Sequence, residues 1–413
     1  MIVGVTFPTV SGRVIIGLPA GCGPRQFGEQ PTLLARVLGI GSRRYLYQMP
    51  WYLFVGAPGA GKTTALLNAG LKFPLADKLG QDPLRGVAGT RNCDWWITDQ
   101  AVMIDTAGRY TSQDSDQAAD AAEWNEFLAL LRKYRPRQPI NGVLVTVSAA
   151  DLLVLAASDR ERQANNVRAR LQELMTALAH DFPVYLIVSK TDLVAGFTEF
   201  FDALDRTERE QVWGFTLPFD AGKRGGTDAA TIGKELDALS ARLVDLAFER
   251  LHQERDLGRR ALIYGLPYQF QSLREPLTEF VDRAFSATKL ARAPLVRGIY
   301  FTSGTQEGNP IDRIIGALAR GFGLQRRVLA PLRPSGRAYF LKQLLHEVVF
   351  PEAVIAGTNL RWERRARLLK WGVAAGSVAV ALFLLAGLTS SYFANRAYVD
   401  EVAAKTRSLK ETI

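Results

Sequence analysis

A chain of 413 residues that is 47% hydrophobic and 22% charged has the composition of a folded protein with room for two or three units, which excludes a disordered or fibrous chain. Two distant cysteines, Cys22 and Cys93, exclude a disulfide framework and favour a reducing compartment, and the scattered histidines His180, His252 and His346 exclude a zinc-hydrolase motif. The net charge of +10 and pI near 9.6 raise nucleic acid as a partner, but the basic residues form neither a recognition helix nor an aromatic-studded basic sheet.

Residues 1–43 form an atypical N-terminal segment. Its apolar patches, Ile2-Val3-Gly4-Val5 and Val14-Ile15-Ile16, are interrupted by Pro8, Arg13 and Pro19. No basic region precedes them, so the segment is neither a membrane span nor a secretory signal.

Trp51-Tyr52-Leu53-Phe54-Val55 then runs into Gly56-Ala57-Pro58-Gly59-Ala60-Gly61-Lys62-Thr63, with Thr64–Asn68 continuing as a helix. This spacing, G-x-x-x-x-G-K-T between a strand and a helix, predicts a phosphate-binding loop. Gly56, Gly59 and Gly61 let backbone N–H groups close around a phosphate, and Thr64 opens the helix whose positive dipole end faces it. Lys62 reaches the β- and γ-phosphates and is the first catalytic candidate. The Thr63 hydroxyl is the first Mg²⁺ ligand candidate.

Leu79–Asn92 reads as a glycine-containing loop in which Thr90 is placed to close on the metal, as switch loops do. Cys93–Thr98 and Ala101–Ile104 read as two strands joined by a tight turn at Asp99-Gln100, with Trp95 and Trp96 as strand packing. The second strand ends in Asp105-Thr106-Ala107-Gly108-Arg109. A carboxylate at that end, Asp105, suits the metal, and Gly108 brings its N–H close to a γ-phosphate. Arg109 stands where a water-positioning glutamine is absent; it either contacts phosphate or forms a structural ion pair.

Further along, Asn125–Lys133 reads as a helix, Gly142–Val147 as a buried strand, and Asp159–Ala179 as an amphipathic helix. Val184–Val188 is a strand running into Ser189-Lys190-Thr191-Asp192. The guanine-reading pattern is N/T-K-x-D, in which the aspartate accepts guanine N–H donors and the lysine stem covers the base. Asp192 and Lys190 fill those places, Ser189 departs from Asn/Thr, and a solvated turn is the alternative. Beyond the loop Asp220–Thr227, helices are expected over 234–255 and 272–285, a strand over 296–302 and a helix over 340–349.

Trp371–Leu388 carries no charge, and eighteen residues of helix span about 27 Å, near the thickness of a hydrocarbon core. Arg361, Arg364, Arg365, Arg367 and Lys370 precede it, which places residues before 371 in the cytoplasm and those after about 393 outside. This basic run is read as a contact for anionic lipid, with no nucleic acid as partner. The fold class expected is α/β: a G-protein-like P-loop NTPase with a mainly parallel sheet and flanking helices, a mostly helical extension, and one C-terminal transmembrane helix. The expected organisation is 44–219 for the NTPase domain, 220–333 for an α/β extension, 334–370 for a helical basic juxtamembrane segment, 371–393 for the span and 394–413 for the start of a periplasmic region.

Long stretches also resemble the IcmF/TssM family, the inner-membrane component of bacterial type VI secretion. They are Tyr47-Gln48-Met49-Pro50-Trp51-Tyr52, Gly61–Asn68, Gly89-Thr90-Arg91-Asn92-Cys93-Asp94-Trp95-Trp96, Asp105–Thr111, Asn141-Gly142-Val143 and Arg297–Gly308. The resemblance covers about residues 44–395 and implies nucleotide residues at Lys62, Thr63, Asp105 and Asp192, with Mg²⁺ and GTP or ATP as ligands. It also implies a TssL-type partner in the bacterial inner membrane and a homo-oligomeric complex. A TssJ-type lipoprotein follows only if the large periplasmic region of the family were present. Residues 1–43 show neither of the two membrane helices usual there, so the chain reads as truncated at both ends or as the product of a damaged reading frame. A targeting GTPase of the signal-recognition type shares G-x-x-G-x-G-K-T-T and D-T-A-G-R, but predicts a helical bundle before the nucleotide domain and no span after it. The open alternatives are a slow or regulatory NTPase and an architectural scaffold with a vestigial nucleotide site.

Overall fold

The computed structural model describes residues 3–5, 16–18, 47–73, 93–112, 117–219, 229–287, 292–304, 311 and 337–411. Strands β1 (Val3–Val5) and β2 (Ile16–Leu18) pair antiparallel as a small sheet of their own. The main sheet is built from β3 (Trp51–Val55), β4 (Cys93–Ile97), β5 (Val102–Thr106), β6 (Gly142–Ser148), β7 (Pro183–Ser189), β8 (Gly214–Thr216) and β9 (Leu295–Phe301). Its order is β4-β5-β3-β6-β7-β9-β8. The five central strands are parallel, and β4 and β8 close the two edges antiparallel.

β3, β5, β6 and β7 are buried along their whole length, as expected of parallel strands covered on both faces. Alternate residues divide between two cores. Leu53, Val55, Val143, Val145 and Leu186 share one with α3 (Gln117–Tyr134) and α5 (Ala157–Leu178), whereas Tyr52, Phe54, Leu144, Tyr185 and Ile187 share the other with α1 (Lys62–Asn68). The edge strand β4 uses its indoles for packing: Trp95 lies edge-on to Trp51 at 5.1 Å, and Trp96 meets Phe73 at 5.5 Å. The turn after it is closed by the Thr98 hydroxyl, which accepts from the backbone of Gln100 (3.2 Å) and Ala101 (2.9 Å). The amphipathic helix expected over 159–179 is present as α5, with Val167, Leu171, Leu174 and Leu178 buried and Ala179 ending it at φ 54°.

The remaining helices of this unit are α2 (Gly108–Ser112), α4 (Ala149–Val154), α6 (Phe197–Phe201), α7 (Arg206–Glu210), α8 (Ala229–Gln253), α9 (Leu257–Gln271) and α10 (Arg274–Phe285). The sheet does not stop at residue 219. Among the described residues β8 pairs with β9 alone, and β9 reaches it from beyond α10 to lie between β7 and β8, so 44–219 alone lacks an internal strand. The segment expected as a helix over 340–349 is a π-helix at Leu344–Val349, followed by a 3₁₀ turn at Pro351–Ile355. Its residues Leu344, Leu345 and Val349 are buried in the core that holds Leu66 and Ala69.

By contacts the chain divides into two units, Met1–Thr358 and Asn359–Ile413. The second is a single helix, α11 (Leu360–Glu411). Among the described residues it is the one helix long and apolar enough to cross a membrane, over Arg367–Thr406, with a mean hydropathy of 2.0 in its most apolar window. The expected span at 371–393 lies inside that stretch. The loops expected at 79–92 and 220–227 lie outside the described residues.

Candidate functional site

Because the central strands are parallel, the carboxyl ends of β3, β5, β6, β7 and β9 emerge along one edge, where α/β sheets place their sites. β3 leaves the sheet through Gly56. A Cβ there would lie 2.3 Å from the Thr146 carbonyl oxygen of β6, so only glycine permits the approach. Gly59 (φ 72°) and Gly61 (φ 83°) take left-handed turns, and Gly61 caps the N-terminus of α1. The loop is thereby bent back over the start of the helix.

Lys62 is buried, and its ammonium donates to the carbonyls of Gly56 (2.8 Å) and Ala57 (3.1 Å). Burial lowers its pKa, and the charge of Asp105 opposes that shift. The Thr63 hydroxyl donates in a short hydrogen bond to the Asp105 carboxylate, which sits fully buried next to the end of β5. Thr106 fixes β5 against β3 by donating its hydroxyl to the Phe54 carbonyl at 2.6 Å. Gly108 comes after Ala107, and its backbone presses on the loop: a Cβ there would stand 2.3 Å from the Pro58 nitrogen. Gly108→Ala should therefore displace the loop and cost roughly 1–3 kcal/mol of stability, as overpacking does. A thermal melt checks this, and an unchanged midpoint would contradict the contact.

The end of β7 closes the other side. The Ser189 hydroxyl donates to the Ala60 carbonyl (2.6 Å), with the Val147 carbonyl also within reach of its proton (3.2 Å), which ties β6, β7 and the loop together. Lys190 follows in a left-handed turn (φ 55°), and its Cε lies 3.9 Å from where a Gly61 Cβ would be. Asp192 is buried in the 3₁₀ turn Thr191–Leu193. That turn is held from β9: the Thr302 carbonyl accepts from both the amide (3.2 Å) and the hydroxyl (3.0 Å) of Thr191. Two residues on, Gly304 packs against Thr64, whose methyl would be 2.9 Å from an added Cβ.

The structure thus brings Gly56, Gly59, Gly61, Lys62, Thr63, Thr64, Asp105, Gly108, Lys190 and Asp192 to one rim of the sheet. Arg109 turns away toward α3, where it pairs with Asp120 (3.3 Å) and Glu123 (2.7 Å), and Tyr110 donates to the same Glu123 at 2.7 Å. Thr90 lies outside the described residues. Sequence reasoning missed the bond from Ser189 to the loop and the support from Thr302 and Gly304. Their only signal was a strand followed by the small residues Thr302-Ser303-Gly304, whose place beside β7 no local pattern reveals. Chemically, the rim offers a backbone cradle, a buried cation, a hydroxyl beside a carboxylate, and a second buried carboxylate just past the end of β7. Oxygen donors of this kind suit Mg²⁺.

Residues 117–377 match the IcmF-related N-terminal domain. The chain is 47% identical over 390 residues to the type VI secretion system component TssM1 of Pseudomonas aeruginosa, an alignment covering 94% of this chain and 35% of that relative. The chain therefore spans about a third of that relative's length. A weak structural likeness, at 19% identity and a TM-score of 0.24, is to the signal recognition particle receptor SRb-GTP/SRX complex from Chaetomium thermophilum. It covers 37% of this chain and 75% of that one.

Proposed function

The chain belongs to the IcmF/TssM family of type VI secretion components, and on that premise we propose that it is a membrane-anchored, nucleotide-binding subunit of the secretion complex. The observation that carries this reading is the loop itself: Lys62 is held over the carbonyls of Gly56 and Ala57, while Thr63 meets Asp105 beside it. In this reading the unit is a G-protein-like P-loop domain. The order β4-β5-β3-β6-β7-β9, with its antiparallel edge strand, supports it.

The Gly56–Gly61 amides would bind the phosphates, and Lys62 would exchange its carbonyl partners for β- and γ-phosphate oxygens. Thr63 and Asp105 would hold Mg²⁺, which supplies positive charge against the phosphate oxygens when bound. Asp192 would accept guanine N–H donors, with the Lys190 stem over the base. Arg109, engaged by Asp120 and Glu123, aims no group at an attacking water. Turnover is accordingly slow, and nucleotide state serves assembly or gating. The same engagement favours the second reading, an architectural scaffold with a vestigial site. Complementation by Lys62→Ala in a full-length background separates the two: lost secretion supports the first and retained secretion the second.

α11 anchors the unit in the bacterial inner membrane in this account, with the bulk of the chain cytoplasmic. The basic run Arg361–Lys370 meets anionic lipid, and a TssL-type partner and further copies of the chain complete the membrane complex. A TssJ-type lipoprotein would engage only through the longer periplasmic region of the family. The base assignment is tested by equilibrium binding of labelled GTP and ATP to the wild type and to Asp192→Asn. Loss of a charged hydrogen-bond acceptor should weaken GTP about 10- to 100-fold and leave ATP unchanged. Equal binding of both nucleotides, indifferent to the change, would remove guanine.

A further inference from the structure

Residues 339–357 join the α/β unit to the membrane-type helix, and they are not a free linker. The segment begins beside the candidate site: Tyr339 and Ser303 exchange two backbone hydrogen bonds (2.8 and 3.1 Å), directly after the Thr302 carbonyl that holds the Asp192 turn. Phe340 is forced to φ 61°, a conformation that costs an aromatic residue energy, with its amide donating to the Arg209 carbonyl at 2.6 Å.

Lys342 then lays its aliphatic stem against Gly70, two residues past the end of α1, where an added Cβ would lie 3.1 Å from the stem. Leu344, Leu345 and Val349 bury themselves with Leu66, Ala69 and Leu71. α1 has only seven residues, about 10 Å of rigid helix. Its first turn carries Lys62 and Thr63, and its last turn rests on this segment.

The contact is made by a π-helix, Leu344–Val349, a form that carries one residue too many for an α-helical turn and recurs at functional positions. Past it the segment is clamped to the sheet. Glu352 receives Arg297 through two nitrogens (2.5 and 3.0 Å) and the Tyr185 hydroxyl (2.8 Å). Asn141 donates to the Ala353 carbonyl (3.2 Å), Gln138 to the Ala356 carbonyl (2.9 Å), and Gly357 to the Asp181 carbonyl (2.8 Å). Three residues after Gly357, α11 begins.

We propose that residues 339–357 are a strap that couples occupancy of the Gly56–Thr63 loop to the chain's entry into α11. The inference rests on the nucleotide-binding reading above. Closure of the loop on phosphate moves α1, and the strained Phe340 and the π-helix take up that movement. The clamp at Glu352 then decides how much of it reaches residue 357. By linkage, loosening the clamp must alter nucleotide affinity although no residue of the strap lies in the loop.

The test is hydrogen–deuterium exchange of the full chain in lipid nanodiscs, with and without Mg²⁺ and GTP or ATP, alongside a binding titration of the same sample. The expected result is a change in exchange of about fivefold or more in peptides covering 339–357, together with protection of 56–68. Glu352→Gln should shift the nucleotide Kd by about fivefold. Arg283→Gln, which breaks a surface pair with Glu161 on α5 and α10, should not. Nucleotide that binds and protects the loop while 339–357 stays unchanged overturns the strap alone. No binding at all overturns the nucleotide reading and the strap with it.

Discussion

Replacing Lys62 by alanine should weaken Mg²⁺-nucleotide binding at least about a hundredfold while leaving the fold in place. Hydrogen bonds from a charged donor contribute about 1.5–3 kcal/mol each. Lys62 in this account makes two of them to phosphate oxygens, so the sum passes the ~2.7 kcal/mol that corresponds to a hundredfold. The fold has less to lose. Removing the side chain deprives the Gly56 and Ala57 carbonyls of a donor, but it also removes an ammonium whose charged form burial already disfavours. Calorimetric titration and a thermal melt of the same variant check the two halves. An unchanged affinity would mean that the loop does not hold phosphate through Lys62.

Arg297→Ala should cost about 3–5 kcal/mol of folding stability, the range seen when one partner of a buried ion pair is removed. The Arg297 side chain is 7% exposed and that of Glu352 18%. The guanidinium makes a fork onto Glu352 and donates to the Leu217 carbonyl at 2.6 Å, so its loss takes that carbonyl's donor and leaves Glu352 with the Tyr185 hydroxyl and no countercharge. Such a loss is a large share of the ~5–15 kcal/mol that holds a typical folded domain. Arg297→Lys should recover only part of it, because a point charge cannot reproduce the fork. Urea unfolding midpoints of the two variants decide the matter. A loss below about 1 kcal/mol for the alanine variant would show that the pair is solvated rather than buried.

Much of this arrangement is visible in the chain itself, and the reason is local. The apolar runs of β3, β6 and β7 announce buried parallel strands, and the glycines at 59 and 61 answer left-handed turns within the loop itself. The hairpin of β4 and β5 is written in Asp99-Gln100 and its neighbours. Three features escape such reading. The helix α9 contains Gly258, Gly265 and Pro267, each of which signals a break, and it survives because Ile263, Leu266 and Phe270 are buried in the tertiary core. β9 lies between β7 and β8 although α8, α9 and α10 separate it from β8 in the chain, since strand order depends on pairing partners that no window of sequence contains. Arg109 follows Asp105-Thr106-Ala107-Gly108, and that position leaves open a phosphate contact or a structural ion pair; the second is what forms. Its actual partners, Asp120 and Glu123, come from a separate helix.

The same distinction explains the connector. As sequence, Phe340–Val349 reads as an ordinary helix ahead of the apolar run from Trp371. The clamp that follows it, at Glu352 and Ala353, is made by Arg297, Tyr185 and Asn141, which lie between 55 and 212 residues away.

The most direct test of the central claim is a titration of the full chain in nanodiscs with a fluorescent, slowly hydrolysed GTP analogue and its ATP counterpart, first with Mg²⁺ and then with a chelator. The account predicts saturable binding at one nucleotide per chain, competed by unlabelled nucleotide and markedly weakened when Mg²⁺ is removed from Thr63 and Asp105. Absence of saturable binding at millimolar nucleotide, or binding that neither competitor nor chelator affects, would contradict it.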